Sequence, residues 1–99
     1  MKKALMFFLG VMASVAIFAQ SVAVSGTVID ADSKEPLIGV SILEVGTTNG
    51  MITDLDGNFQ ISVTAGTTLQ LSYVGYETQE INVGKKTNLG VIELLPEAV

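Results

Sequence analysis

The chain of 99 residues contains no cysteine, no histidine and no arginine. Without cysteine it can form no disulfide, and it cannot carry the lipid that bacterial lipoproteins attach to that residue. Without histidine or cysteine, a serine nucleophile would need a lysine or a carboxylate as its base. The strand-like runs around Ser41, Ser62 and Ser72 offer no such neighbour. We therefore expect a protein that is not an enzyme and that depends on strand pairing and packing for its stability.

The first 19 residues have the three-part pattern of a secretory signal peptide. Lys2 and Lys3 form a basic start, residues 4–18 are uncharged and almost wholly apolar, and small or polar residues follow. We expect cleavage after Ala19, with cleavage after Ala23 as an alternative. A membrane anchor is the competing interpretation, but this run is short against the roughly 20 residues that span a bilayer. The pattern therefore predicts an exported protein.

Positive charge is scarce in the part of the chain that would remain after removal of the signal peptide. From residue 20 onward three lysines stand against all ten acidic residues, which gives a formal charge of −7. An acidic surface repels phosphate backbones, and the chain lacks arginine, the residue that makes bidentate contacts with phosphates and bases. We expect no nucleic-acid partner. A length of roughly 80 residues is enough for one domain with a modest core.

Residues 20–95 are predicted to be all-β, because short apolar runs alternate with turn residues and no helical periodicity is present. Alternation of apolar and polar residues is clearest at 58–63 and 68–73. The run at 37–45 has apolar residues on both faces, which favours a central strand. The seven predicted strands are 22–30, 37–45, 51–55, 58–63, 68–74, 77–83 and 89–95. Their number and spacing favour a β-sandwich.

Turn residues separate these runs. The polar segment 32–36 ends in a proline and is predicted to be the loop of a first hairpin. Asp56 and Gly57 are the strongest hairpin signal in the chain, and they predict a type I′ turn, in which both central residues have positive φ. No internal repeat or linker interrupts residues 20–95, which are predicted to be one domain, and 96–99 are predicted to begin a linker.

A set of short motifs in a fixed order identifies a family. The motifs are G-x-V-x-D at 26–30, P-L-I-G-V at 36–40, G-T-T-N-G at 46–50, T-D-x-D-G-N-F at 53–59 and V-G-Y-E at 74–77. Each motif is weak alone, but their order and spacing together are specific. On these residues the chain resembles the carboxypeptidase regulatory-like domain. The resemblance implies a seven-stranded Greek-key sandwich of the transthyretin-like or immunoglobulin-like kind.

An exported copy of this domain at the start of a chain is similar to the opening of SusC/RagA-type TonB-dependent outer-membrane transporters. There the domain precedes a TonB-contacting segment, a plug and a β-barrel. The resemblance implies a non-catalytic domain without a cofactor, placed at the periplasmic face of the outer membrane. It implies docking or gating during nutrient uptake, with the plug and barrel, the TonB system and a SusD-type surface lipoprotein as partners. The predicted strands are short for membrane spans, so we expect no insertion of the mature domain.

Two functions remain open at this point. In the favoured one, the sequence is the N-terminal fragment of such a transporter. In the other, it is a stand-alone exported β-sandwich that acts as a binding or accessory module. Continuation of the natural chain beyond Val99 into an acidic and hydrophobic segment and a plug would distinguish the two. The sequence itself does not identify a transported substrate.

One segment superficially resembles the start of a calcium loop, with Asp54, Asp56 and Asn58 at alternate positions. An EF-hand loop places glycine sixth and a bidentate acid twelfth. Here Gly57 is fourth counted from Asp54, and Ala65 is twelfth. We therefore expect no metal site. Asp54 and Asn58 are predicted instead to satisfy backbone groups of a tight turn.

Two further sets of side chains could suggest a site. Asp30 and Asp32 are close in sequence, but their position at a strand end beside a polar loop predicts simple solvation. Tyr73 is predicted to fill the core, and Tyr76 is predicted to cover a sheet edge with its hydroxyl on a backbone group. With Phe59 as the one other aromatic residue after position 20, the chain has too few rings for a sugar-stacking platform. We expect no catalytic, cofactor-binding or metal-binding residue.

Overall fold

A computed structural model describes residues 20–98, and this part of the chain is all-β with seven strands. The strands are β1 (Ser21–Asp30), β2 (Ser41–Glu44), β3 (Gly50–Ile52), β4 (Asn58–Thr64), β5 (Thr68–Ser72), β6 (Gln79–Asn82) and β7 (Asn88–Leu94). They form two sheets, in the orders β4-β1-β7 and β3-β2-β5-β6, which enclose one core. The predicted signal peptide at 1–19 lies outside the described residues. Within residues 20–98, no helix has the length and apolar character to cross a membrane.

Strand β1 is the centre of the smaller sheet, antiparallel to β4 and parallel to β7. In the larger sheet β2 and β5 are the central pair, and all strands are antiparallel. The predicted central position of the second strand is therefore confirmed. The first two strands belong to different sheets. In immunoglobulin constant domains they share one sheet, so the strand order here departs from that arrangement.

The predicted first hairpin is wrong, because its loop carries the chain from one sheet to the other. The chain does turn back locally, since Ile29 and Pro36 form an antiparallel bridge and the amide of Leu37 donates to the carbonyl of Val28 at 3.0 Å. It then turns again at Gly39, where φ is 83°. This second turn ends the local pairing. Strand β2 therefore begins four residues later than the predicted run.

The core lies between the two sheets and is built mainly from alternate residues of β1, β2, β4, β5 and β7, as the period of two requires. Strand β4 shows the alternation most clearly, with each odd-numbered residue buried and each even-numbered residue exposed. The buried hydrophobic residues are Val24, Val28, Val40, Ile42, Phe59, Ile61, Val63, Leu69, Leu71, Val83, Ile92 and Leu94. With no disulfide in the sequence, this apolar core is the main source of stability; burying one such side chain contributes about 1.5–3 kcal/mol.

A glycine makes room for the largest side chain of the core. Gly26 lies on the inner face of β1 and pairs in register with Phe59 of β4. A Cβ atom at Gly26 would lie 2.8 Å from Cε2 of the Phe59 ring. The absence of a side chain at position 26 therefore lets the ring lie against the backbone of β1.

The turn that contains Gly57 is tight, but it differs from the prediction in two respects. The amide of Gly57 donates to the carbonyl of Asp54 at 2.9 Å, and Gly57 has a φ of 79° while Asp56 does not have positive φ. This geometry excludes a type I′ turn and matches a three-residue loop that ends in a left-handed residue. The flanking strands β3 and β4 also lie in different sheets, so the turn is a crossover between sheets.

The strand directions place the loops at two ends of the sandwich. We call one the exit end, because the described chain leaves there; it comprises residues 31–40, 53–57, 73–78 and 95–98. Hydrogen bonds from Gly39 to Thr53 and from Glu77 to Leu95 join these segments in pairs, and one from Val28 to Gly57 joins the 53–57 turn to β1. The opposite end comprises residue 20 and the loops 45–49, 65–67 and 83–87.

Candidate functional site

The most elaborate arrangement of polar groups lies at the exit end, where the chain beyond β7 pairs with the loop between β5 and β6. The amide of Glu77 donates to the carbonyl of Leu95 at 2.8 Å, and the amide of Glu97 donates to the carbonyl of Gly75 at 2.9 Å. Between these two bonds, Tyr76 and Pro96 form an antiparallel bridge. Because β7 and β5 belong to different sheets, this pairing joins the sheets and fixes the point at which the chain leaves.

The hydroxyl of Tyr76 extends this connection to β1. It donates a hydrogen bond of 2.5 Å to Oδ2 of Asp30, the last residue of that strand. Tyr76 is partly buried against the core, and its hydroxyl binds a carboxylate and not the backbone group that was predicted. The carboxylate raises the pKa of Tyr76, since the hydrogen bond and partial burial both favour the neutral phenol. The ring of Tyr73, partly buried against the core, lies 5.6 Å from that of Tyr76 between centroids.

The sequence predicted that Asp30 is simply solvated. In the structure it is instead an acceptor of several hydrogen bonds within the fold. Its Oδ1 atom accepts the backbone amides of Asp32 at 2.7 Å and of Ser33 at 2.9 Å, while Oδ2 accepts Tyr76. The Tyr76 hydroxyl, followed by the Ser33 amide, lowers the pKa of Asp30, because these donors stabilise the charged form. Asp30 therefore holds together the 31–36 loop, β1 and the segment through which the chain leaves. Asp32 itself is exposed, as expected.

A buried carboxylate closes the sandwich at the opposite end. Glu44 is 5% exposed, and its Oε1 accepts the side-chain amide of Asn49 at 3.0 Å while Oε2 accepts the backbone amide of Thr64 at 3.1 Å. These bonds, with that of Asn49 first, lower the pKa of Glu44. They also link β2 of one sheet to β4 of the other. Glu44 is not among the residues predicted from the sequence to have a role, although it alternates with Ile42 on the inner face of β2.

In the suspected calcium loop, the carboxylate of Asp54 is occupied by hydrogen bonds within its own turn. One oxygen of Asp54 accepts the backbone amides of Asp56 and Asn58, each at 2.9 Å, as predicted for Asp54. Asn58 differs from the prediction, since its side-chain oxygen accepts the hydroxyl of Thr27 at 2.6 Å. Across residues 20–98, no three His, Cys, Asp or Glu side chains are placed to hold a metal ion. The absence of a metal site remains a prediction.

A groove of about 540 Å³ runs beside β3 and β4, with Met51, Ile52 and Gln60 in its lining and Asp54 as its one charged side chain. Among the hydrogen bonds of residues 20–98, none joins the hydroxyl of Ser41, Ser62 or Ser72 to a lysine or a carboxylate.

Comparison with known proteins identifies the family of the chain and several relatives. The profile of the CarboxypepD_reg-like domain matches residues 24–99. The chain is 41% identical over 101 residues to the TonB-dependent receptor SusC of Bacteroides thetaiotaomicron, a match that covers 99% of this chain and 10% of the receptor. It is 38% identical over 91 residues to the TonB-dependent receptor P3 of Formosa agariphila, covering 91% of this chain and 9% of that receptor. The chain thus spans about a tenth of the length of these relatives.

A solved structure shares the fold. One chain in the crystal structure of a type II cohesin–X–dockerin complex from Acetivibrio cellulolyticus superposes with a TM-score of 0.60 and 30% sequence identity. The similarity covers 75% of this chain and 56% of that one. The sequence matches show homology to the N-terminal region of SusC-type TonB-dependent receptors. The resemblance drawn from the motifs is confirmed, and the chain belongs to the CarboxypepD_reg-like domain family.

Proposed function

We propose that this chain is the N-terminal periplasmic domain of a SusC/RagA-type TonB-dependent outer-membrane transporter, and that it serves nutrient uptake by docking or gating. The observation that carries the proposal is the 41% identity to SusC, which extends over 99% of the chain. That length includes most of the predicted signal peptide at 1–19. The similarity therefore supports an exported protein as well as the domain assignment.

The geometry of the exit end supports a docking role. The pairing of 95–97 with 75–77 and the Tyr76 to Asp30 hydrogen bond hold the chain at one place on the sandwich. In a transporter, the segment after residue 98 would lead toward the TonB-contacting region and the plug. A rigid point of departure would fix the position of this domain relative to both. We further propose the transporter's own plug and barrel, the TonB system and a SusD-type lipoprotein as partners.

Two finer assignments belong to the same proposal. The strand orders β4-β1-β7 and β3-β2-β5-β6 depart from the immunoglobulin order, which favours the transthyretin-like variant of the Greek-key sandwich. The hydrogen-bonded carboxylates of Asp30 and Glu44 are taken up by structural contacts. This use of the hydrogen-bonded acids supports a domain that is not an enzyme.

The size and location of the native polypeptide test the proposal. An antibody raised against residues 20–99 is applied to soluble periplasm and to outer membranes from fractionated cells. A band several times larger than this domain in the outer-membrane fraction is the expected result. A band matching about 80 residues in the soluble periplasm would overturn the proposal and leave a stand-alone binding or accessory module; folded domains of that size are common.

Deletion of the codons for residues 20–95 from the native gene, with those of the signal peptide retained, tests the docking or gating role. We expect the truncated transporter to reach the outer membrane in normal amount and to support slower nutrient uptake. Quantifying the protein in isolated outer membranes is the control, because it separates lost function from lost assembly. Unchanged uptake at equal protein amount would contradict the role.

A further inference from the structure

The exit end carries apolar side chains that the fold does not use. Among residues 20–98 eight large hydrophobic side chains are exposed, and five of them lie in the segments of this end or, in the case of Ile52, at its border. These five are Ile38, Ile52, Leu55, Val74 and Leu95. Val74 is 94% exposed and Leu55 is 76% exposed, so neither contributes appreciably to the core. Single exposed hydrophobic residues are ordinary, but their concentration at one end of a domain marks an interaction surface.

Negative charge is concentrated at the same end. Of the ten carboxylates, seven lie in its segments or at its border: Asp30, Asp32, Glu35, Asp54, Asp56, Glu77 and Glu97. The one lysine at this end, Lys34, is ion-paired with Glu93 at 2.9 Å. The two remaining lysines after residue 20, Lys85 and Lys86, are at the opposite end. The domain is therefore strongly polarised, with uncompensated negative charge around the exposed apolar side chains.

We propose that the exit end is a docking face for a folded protein whose surface has an apolar centre and a rim of lysine or arginine. Protein interfaces combine an apolar core with a polar rim, and opposite charges on the two partners speed their encounter. The same negative charge disfavours a membrane, whose headgroups are anionic, so the occupant is a protein and not a lipid surface. This inference rests on the proposed function in one respect, namely that the partner is located in the cell envelope.

Site-specific photocrosslinking in cells tests the proposal with the native, full-length polypeptide. Benzoylphenylalanine replaces Leu55 or Val74 at the exit end. Two exposed positions elsewhere are matched controls: Val45 at the opposite end, and Val91 on the outer face of β7. We expect protein adducts from 55 and 74 in several-fold higher yield than from the controls, and we expect peptide mapping to place them on lysine- or arginine-rich surfaces.

A charge-neutral variant tests the second half of the proposal. The substitutions Asp32→Asn, Asp56→Asn, Glu77→Gln and Glu97→Gln remove four charges whose carboxylates accept no hydrogen bond within the described residues. We expect this variant to have an equal or slightly higher melting temperature, because repulsion between like charges is reduced, and to lose most of the adducts from 55 and 74. The control variant Lys85→Gln with Lys86→Gln should leave the adduct yields unchanged.

Several results would overturn the inference: equal adduct yields at all four positions, adducts with lipid, or yields that the four acid substitutions leave unchanged. These results are independent of the proposed function. If the antibody detected a free domain in the periplasm, the transporter assignment would fail. Adducts from 55 and 74 with a basic protein would still establish the docking face.

Discussion

At the scale of single residues, position 57 requires glycine for two reasons, its backbone conformation and the atoms that surround it. Its φ of 79° is unfavourable for any residue with a Cβ atom. A Cβ atom there would also lie 2.5 Å from the carbonyl oxygen of Val28, while the amide of Val28 donates to the carbonyl of Gly57 at 2.8 Å. The crossover turn and β1 therefore touch backbone to backbone, and a side chain would force them apart.

Gly57→Ala should destabilise the domain more than Gly46→Ala does. Gly46 has a similar φ of 86°, but no atom lies within 4 Å of the Cβ position. Its substitution isolates the cost of the left-handed backbone, about 1–2 kcal/mol. Gly57→Ala adds the displacement of the Val28 carbonyl to that cost. Urea unfolding of both variants measures the difference, and equal losses would show that the clash relaxes without cost.

Single-residue burial was predictable only where local alternation decides it. Phe59, Ile61 and Val63 alternate with polar residues and are buried as expected. Glu44 was missed, because a glutamate is ordinarily exposed and its burial depends on Thr64, twenty residues away. The carboxylate partner of Tyr76 is also distant in sequence. Local pattern has no information about such contacts.

At the scale of elements, the segment after β7 depends on one tyrosine hydroxyl. Tyr76→Phe should loosen the pairing between 75–77 and 95–97, because it removes the hydrogen bond that ties this pairing to Asp30. We expect faster hydrogen exchange at the amides of Glu77 and Glu97 and a lower melting temperature. Tyr73→Phe is the matched control, since among residues 20–98 the Tyr73 hydroxyl makes no hydrogen bond. Equal protection in both variants would contradict the prediction.

The turn at 54–57 makes a second prediction at this scale. Calcium in millimolar excess should leave the melting temperature unchanged relative to a chelator, because Oδ1 of Asp54 already accepts two backbone amides. Asp54→Ala should lower the melting temperature equally with and without calcium, through the loss of these bonds. Calorimetry of both proteins measures the effect. A calcium-dependent rise in the unsubstituted protein would contradict the prediction and establish a calcium site at this turn.

Element positions were predictable to within a few residues, but their partners were not. The predicted runs at 58–63 and 68–74 correspond to β4 and β5. The predicted hairpins at 32–36 and at Asp56 and Gly57 proved to be crossovers. A strand in either sheet of a sandwich has one inner face, so its alternation does not reveal which sheet it joins. The turn at Gly39 likewise shortened β2 within an uninterrupted apolar run.

At the scale of the whole molecule, stability should decline in acid. Asp30 and Glu44 have lowered pKa values in the folded state, so their contribution is complete above their unfolded pKa of about 4 and is lost as pH falls through the folded values. Tyr76 has a raised pKa, so its contribution is complete below about pH 10 and is lost as pH rises through the folded value. The expected profile is a plateau around neutral pH.

Melting temperatures measured from about pH 7 down to about pH 3 test the acid side of this profile. Glu44→Gln, which cannot titrate, should be less stable at neutral pH and should show a shallower decline. An acid limb as steep as that of the unsubstituted protein would assign the decline to other groups. Acid also neutralises the crowded carboxylates at the exit end, and the relief of their repulsion partly offsets the loss of stability. Moderate salt already screens this repulsion, so in salt the offset is smaller and the decline in melting temperature should be steeper.

The parallel pairing of the first and last strands has a mechanical consequence. Ser25 to Asp30 and Asn88 to Leu94 run side by side in the same direction, and the chain enters at the start of one strand and leaves at the finish of the other. Tension between residues 21 and 94 would act along both strands and load their hydrogen bonds in shear. The bonds would then have to break together and not one after another. The domain should therefore resist unfolding when it is pulled along this axis.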